Sequence, residues 1–288
     1  MKTRHRTATY AALALGLGAL LHAAPVGAQS AGDVLQTALD RYEQRMKGVD
    51  DYTVTFTSSV MSGDYTVYYE KKMVDGHAVF VAPRENSDAQ AASEWGNPYQ
   101  VLPRIADRAT LQGHASVDGH DTFVIHVDDL SGLDFGQEAL GQNGEAQLDP
   151  KSMTMNLDSE DYLIRRMRMD GTITREGKTN PVHVDAHMKD YRSVKGLMQP
   201  YAMDMTMTGL DAAISEEDRA QARAWMARMD SMPADKRAMM EQMMGPQLQR
   251  MKEILESGKV DVSIQVKDVK VNAGPPKAKA GSPDSTGR

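Results

Sequence analysis

Met203-Asp204-Met205-Thr206-Met207 alternates a thioether with a polar side chain over five positions. That is the period of a β-strand with one apolar and one wet face. Working outward, Met167-Arg168-Met169 and Met153-Thr154-Met155 repeat the pattern, so Lys151 to Thr208 reads as a run of half-buried strands. Methionine lacks the branching that favours strands, but it is long, unbranched and soft, and it adapts to partners of variable shape. Turn residues divide the run. Asp158-Ser159-Glu160-Asp161 separates two strands, Pro181 to Asp190 forms another, and Lys195-Gly196 turns the chain into Tyr201 to Thr208.

Upstream, Asp33 to Met46 reads as a helix with Leu35, Ala38, Leu39, Tyr42 and Met46 on one face, Asp33 as its cap and Gly48 past its end. Strands follow in which Tyr52, Val54 and Phe56, then Tyr65, Val67 and Tyr69, alternate with other residues, and His77 to Val81 makes a third. Residues 83 to 108 lose periodicity and read as a long loop carrying Trp95, Tyr99 and Leu102. Asp118-Gly119 is a two-residue hairpin signal that pairs Val117 with His120 and Gly113 with Val124. It puts Leu111, Val117 and Val124 on one face, and Phe123, Ile125 and Val127 on the other. Both faces are then partly apolar, so each needs a cover. Gly132 to Pro150 reads as irregular.

Downstream, Ile214 to Ser257 reads as a methionine-rich helical insert, with Ser215 and Asp218 resembling a capping box and Pro233 and Pro246 in first turns. Its methionines are Met226, Met229, Met239, Met240, Met243, Met244 and Met251, and Gly258 ends it. Val260 to Val271 is the final strand, with a phase slip at Lys267-Asp268 that implies a bulge.

Residues 1–28 read as a secretory signal: Lys2, Arg4 and Arg6 precede the apolar run Ala11 to Leu21, and Val26-Gly27-Ala28 precedes a cut at Gln29. The expected organisation is thus a signal over 1–28, one domain over 29–273 with the insert at about 211–258, and a disordered tail over 274–288. Removing Lys2, Arg4 and Arg6 takes the formal charge from −7 to −10, which with no basic cluster argues against nucleic-acid binding. The sequence has no cysteine, which excludes thiol chemistry, disulfides and a lipidated cysteine.

Four motifs in order resemble those of the LolA-like outer-membrane lipoprotein-sorting proteins. They are Leu157-Asp158-Ser159-Glu160-Asp161-Tyr162-Leu163-Ile164-Arg165-Arg166, Gly113 to Gly119 leading to Phe123-Val124-Ile125, Asp190-Tyr191-Arg192-Ser193-Val194-Lys195-Gly196-Leu197 with Pro200, and Val269-Lys270-Val271-Asn272. The resemblance covers about residues 32 to 274. It implies an α+β fold, an open half-barrel of curved antiparallel sheet with helices on the concave side over an apolar cavity. It also implies a periplasmic, non-catalytic carrier or sensor of lipid or lipoprotein acyl chains. The insert is longer than the simplest carrier has, and the carrier's functional arginine and partner-docking loop match no position here.

On the stripes alone, an ordinary core is the simpler reading; with the resemblance, the expected cavity residues are Phe56, Val67, Trp95, Met153, Met155, Met167, Met169, Met203, Met205 and Met207. Which sheet face turns inward is left open by the pattern. The insert is expected to act as a lid or as a satellite core. Expected partners are a lipid or an acylated lipoprotein, with an envelope membrane protein as a further candidate. No cofactor is expected. His183, Asp185 and His187 share a strand face, but a zinc site needs more ligands and a second shell, and exposed polar positions are the simpler account. Asp158, Glu160 and Asp161 read as local acceptors in a turn rather than an acid/base pair. Two rival classes remain: an envelope scaffold or regulatory protein that binds a protein partner through the sheet, and a hydrolase, for which no nucleophile motif is present.

Overall fold

The computed structural model describes residues 29–60, 63–83, 97–133, 146–175, 177–210, 214–236, 239 and 252–276. In chain order the elements are α1 (Ala31–Arg45), β1 (Asp51–Ser58), β2 (Asp64–Val74), β3 (His77–Val81), α2 (Leu102–Ile105), β4 (Ala109–Val117), β5 (His120–Val127), β6 (Ala146–Asp158), β7 (Ile164–Arg175), β8 (Lys178–Val194), β9 (Leu197–Thr208), α3 (Glu216–Asp230) and β10 (Val260–Val271). The strands form one antiparallel sheet of ten in the order β3-β2-β1-β10-β9-β8-β7-β6-β5-β4. Tight turns make most neighbours, but β10 inserts between β1 and β9 and ties the ends of the chain together. Both edge strands, β3 and β4, touch α1. The sheet is therefore curved and open, with α1 lying across the gap.

Ser30, not Asp33, caps α1. The Ser30 hydroxyl accepts from the Asp33 amide, and the Asp33 carboxylate accepts from the Ser30 amide, so the expected cap is the reciprocal half of a capping box. Val34, Leu35, Ala38 and Leu39 on α1 join Met46, Leu102 and Ile105 in the core. The expected loop over 83–108 holds structure at its end: a 3-10 turn at Pro98–Gln100, then α2, then another at Ala106–Arg108, burying Tyr99, Leu102 and Ile105. Residues 84–96, with Trp95, lie outside the described residues.

The β4–β5 hairpin pairs Val117 with His120 and Gly113 with Val124 as expected. A bulge at Gln112 then moves Leu111 opposite Ile125, onto the Phe123, Ile125 and Val127 face rather than the Val117 and Val124 face. Three strands run further than the pattern suggested. The stretch ending at Pro150 is strand from Ala146, β8 spans Lys178–Val194, and β9 spans Leu197–Thr208. At the expected bulge in β10, Thr55 pairs with Asp268 and Phe56 with Val266, leaving Lys267 as the extra residue.

Of the helical insert, α3, residues 234–236 and residues 252–257 are helical, and Gly258 with φ +65° follows the last of these. Met240, Met243, Met244, Pro246 and Met251 lie outside the described residues, as do the expected signal over 1–28 and residues 277–288 of the expected tail.

Candidate functional site

The ladders place the methionine stripes side by side. Met153 pairs with Met169 and Met155 with Met167; Met205 lies opposite Ala186, Met207 opposite Val184, and Met203 opposite Met188. On β10 the same rows continue through Val260, Val262 and Ile264. One face of the sheet thus carries an apolar floor across five strands, and burial divides it into two parts. Met153, Met155, Met167 and Met169 are at most 5% exposed and sit in one cluster with Leu35, Leu39 and Leu102, as do Phe56 and Val67. Met203, Met205 and Met207 are only half-buried, as is Ile264.

Two adjoining clefts open at the border between these parts and share Gln199, Pro200 and Met203. One, of about 40 Å³, is walled by Val54, Phe56, Tyr69, Ile264 and Val266. The other, of about 20 Å³, is walled by Tyr42, Tyr52, Tyr99, Tyr191, Met188 and Met198. A single water needs roughly 10–15 Å³ on such a measure, and drug-sized ligand sites run to several hundred. As they stand these are seams rather than an acyl-chain cavity, so a chain could enter only if their walls parted. Of the expected cavity residues, Phe56 and Met203 line the clefts; Val67, Met205, Met207 and the β6 and β7 methionines do not.

The aromatic wall was not anticipated. Tyr42 stacks on Tyr99 with centroids 4.2 Å apart, and Tyr52 stacks on Tyr69 at 4.7 Å while meeting Phe80 edge-on. These rings come from α1, β1, β2, β3 and the turn before α2, so sequence spacing gave no sign that they meet. Asn97 fixes the wall: its amide donates to Tyr42 Oη and the Phe80 carbonyl, and its oxygen accepts from the Tyr99 amide. Burial pushes the hydroxyls of Tyr42, Tyr52, Tyr69, Tyr99 and Tyr191 well above the ordinary tyrosine range, so they stay neutral.

A buried polar knot holds the cover to the sheet. Asp158 Oδ1 accepts from the Glu160 and Asp161 amides, as expected for a turn acceptor. Its Oδ2 also takes both Nε and Nη2 of Arg165, which reaches Asp161 as well. Burial pushes the Asp158 carboxyl upward, but these hydrogen bonds and the Arg165 charge outweigh it and hold the carboxyl below the ordinary range. From α1, Arg41 donates to the Glu160 carbonyl and Arg45 to the Asp161 carbonyl, and Tyr99 Oη donates to the Tyr162 carbonyl. Arg165 was missed as a fixing residue, although its place seven residues after Asp158 was visible.

The opposite face is polar. Asp185 pairs with Arg166, which depresses its pKa, while His183 pairs with Asp170 and His187 lies 3.6 Å from both Asp118 and Asp185. No group of three or more histidines and carboxylates placed to hold a metal occurs among the described residues. On this face the Thr154 hydroxyl, the His126 ring and Asp128 form a hydrogen-bonded chain. Neither of the two clefts described above is lined by it.

No family model and no curated protein matches the sequence. Solved structures do. A domain described as an outer membrane lipoprotein-sorting protein from Vibrio parahaemolyticus overlaps 84% of this chain and 95% of its own, at 11% identity and a TM-score of 0.36. A DUF1329 family protein from Desulfovibrio piger overlaps 85% and 95%, at 10% identity and 0.36. A LolA superfamily protein from Nitrosomonas europaea overlaps 84% and 94%, at 9% identity and 0.35. This chain's own topology is an open, ten-stranded antiparallel sheet.

Proposed function

We propose that this chain is a periplasmic, non-catalytic binding protein that shelters a lipid or the acyl chain of a lipoprotein, as a carrier or sensor. The observation that carries the reading is the half-buried floor of Met203, Met205, Met207 and Ile264, continuous with a sealed core and bordered by seams that lack charge. An ordinary core would be closed along its whole length. Burying about 15 methylenes there at about 0.8 kcal/mol each gives on the order of 12 kcal/mol gross, from which association and ordering costs subtract a large part. Shape-tolerant thioethers need few polar contacts to hold such a chain.

Native mass spectrometry of the protein purified from its own envelope tests this, together with displacement of a fluorescent fatty acid. A co-purifying lipid or acylated peptide supports the reading, as does dye binding that falls at least tenfold in Met205→Glu. Bare protein with no dye binding overturns it.

A further inference from the structure

A buried hydroxyl or carboxamide without a hydrogen-bond partner is costly, and folded interiors leave few of them. Three hydroxyls of the tyrosine wall obey that rule. Tyr42 Oη accepts from Asn97, Tyr99 Oη donates to the Tyr162 carbonyl, and Tyr191 Oη donates to the Ile164 carbonyl at 2.6 Å. Tyr52 and Tyr69 depart from it. They are 2% and 4% exposed, yet neither hydroxyl has a hydrogen-bond partner among the described residues. The carboxamide of Gln199, a residue 9% exposed, likewise has none among them. These three residues meet at the paired clefts: Tyr52 lines the smaller, Tyr69 the larger, and Gln199 both. Tyr52 and Tyr69 are directly opposed across β1 and β2, and the alternation of β9 puts Gln199 on the same face as Leu197 and Met203.

From this juxtaposition we infer that Tyr52, Tyr69 and Gln199 form a head-group site that hydrogen-bonds the uncharged carbonyl of an acyl ester or amide. The inference rests on the lipid reading and names the chemistry at the polar end of the chain. Burial keeps both hydroxyls protonated, so they offer O–H donors, and Gln199 adds the donors of its NH₂ and one acceptor oxygen. An ester carbonyl answers the donors, and an amide also presents an N–H to Gln199 Oε1. A free carboxylate is a poorer match. No carboxylate, imidazole, ammonium or guanidinium lines either cleft, so its charge would be buried without a counter-charge. The Arg165 guanidinium, 5.0 Å from the Tyr191 ring centre, is already taken by Asp158 and Asp161. Clefts of about 20 and 40 Å³ suit the few atoms of a head group rather than a chain. Met203, which lines both, is the first methionine of the half-buried floor, so a chain anchored here would run out along it.

The test measures binding of decanoylglycerol, N-decanoylglycinamide and decanoate to residues 29–288 at pH 7 by calorimetry. The two uncharged compounds should bind at least about tenfold more tightly than decanoate, which still binds through its chain. Tyr52→Phe, Tyr69→Phe and Gln199→Met together should lower affinity for the uncharged compounds at least about tenfold and abolish that preference. The variant should melt no lower than the parent, because the hydroxyls lost have no partner in the protein; hydroxyls that serve only the fold would lower Tm. If the triple variant does not fold, Tyr69→Phe alone should weaken binding of decanoylglycerol and reduce the downshift of its carbonyl infrared stretch on binding. Equal affinity for decanoate and the uncharged compounds, or affinity unchanged in the variants, would overturn this inference and leave the lipid reading standing. Binding of none of the three compounds would overturn both.

Discussion

Replacing Asp158 with alanine tests whether the polar knot beneath α1 is structural. The side chains of Asp158 and Arg165 are 6% and 11% exposed, so deletion of the carboxylate leaves a guanidinium buried with one partner fewer. Breaking such a pair from one side costs about 3–5 kcal/mol. Asp161, 34% exposed, stays bonded to Arg165, which places the expected loss near the lower end, about 3 kcal/mol. For a chain of this size that corresponds to a Tm lower by about 6–12 °C. Asp158→Ala/Arg165→Leu should recover part of the loss, because no buried charge is left unpaired and Asp161, 34% exposed, can be solvated. The pH dependence has a definite sign. The folded pKa of Asp158 is depressed, so its contribution is present above the unfolded carboxylate value, about 3.9, and is lost as pH falls through the folded value. The stability curve of Asp158→Ala should therefore be flatter than that of the parent on the acid side of about pH 5. Thermal and urea unfolding of residues 29–288 at pH 7 and across the acid range read both effects. A Tm change below about 2 °C, or a double variant no more stable than Asp158→Ala, would refute the reasoning.

Met155→Ala, in the sealed part of the floor, should cost about 2–5 kcal/mol in denaturant unfolding, whereas Met205→Ala in the half-buried part should cost about 1 kcal/mol while weakening dye binding. Equal costs would show that the floor is one uniform core. Gly209 has φ +83°, and a Cβ there would lie 2.0 Å from the Pro181 carbonyl oxygen, so Gly209→Ala should lose at least about 2 kcal/mol on thermal unfolding. Replacing residues 211–257 with a short linker should leave the sheet folded by circular dichroism, since Leu210 N already meets the Gly258 carbonyl at 3.1 Å and loop length is a weak term in stability. The same deletion should raise dye binding; loss of the folded spectrum would show that the insert is part of the core.

What the sequence disclosed follows how local each cause is. Asp118-Gly119 encodes its own turn and with it the register from Val117 to His120, and the slip at Lys267-Asp268 is visible because one face of β10 is apolar and the other is not. The Gln112 bulge escaped because both faces of β4 and β5 carry apolar residues, so a change of phase leaves no trace in the pattern. The insertion of β10 between β1 and β9 is a long-range pairing that no local spacing records. The methionine stripes were legible as a floor. Their division into a sealed and a half-buried part was not, because it depends on what packs over each strand rather than on any pattern within the strands.

That division has a geometric cause. Ten strands at about 4.8 Å span roughly 48 Å, whereas one helix covers a band about 10 Å wide and, at 15 residues, about 22 Å long. Within the floor the methionines of β6 and β7 are buried, whereas Met203, Met205 and Met207 on β9 stay half-buried beside the buried Val260 and Val262 of β10. Those two strands are also the ones from which the methionine-rich insert leaves and to which it returns, with Met207 paired to Val260 at its base. The tyrosine wall and the Asp158 knot meanwhile hold the other side still. The half-buried methionines of β9 thus stand beside the root of the insert, so its removal is the perturbation that separates a cover from a part of the core.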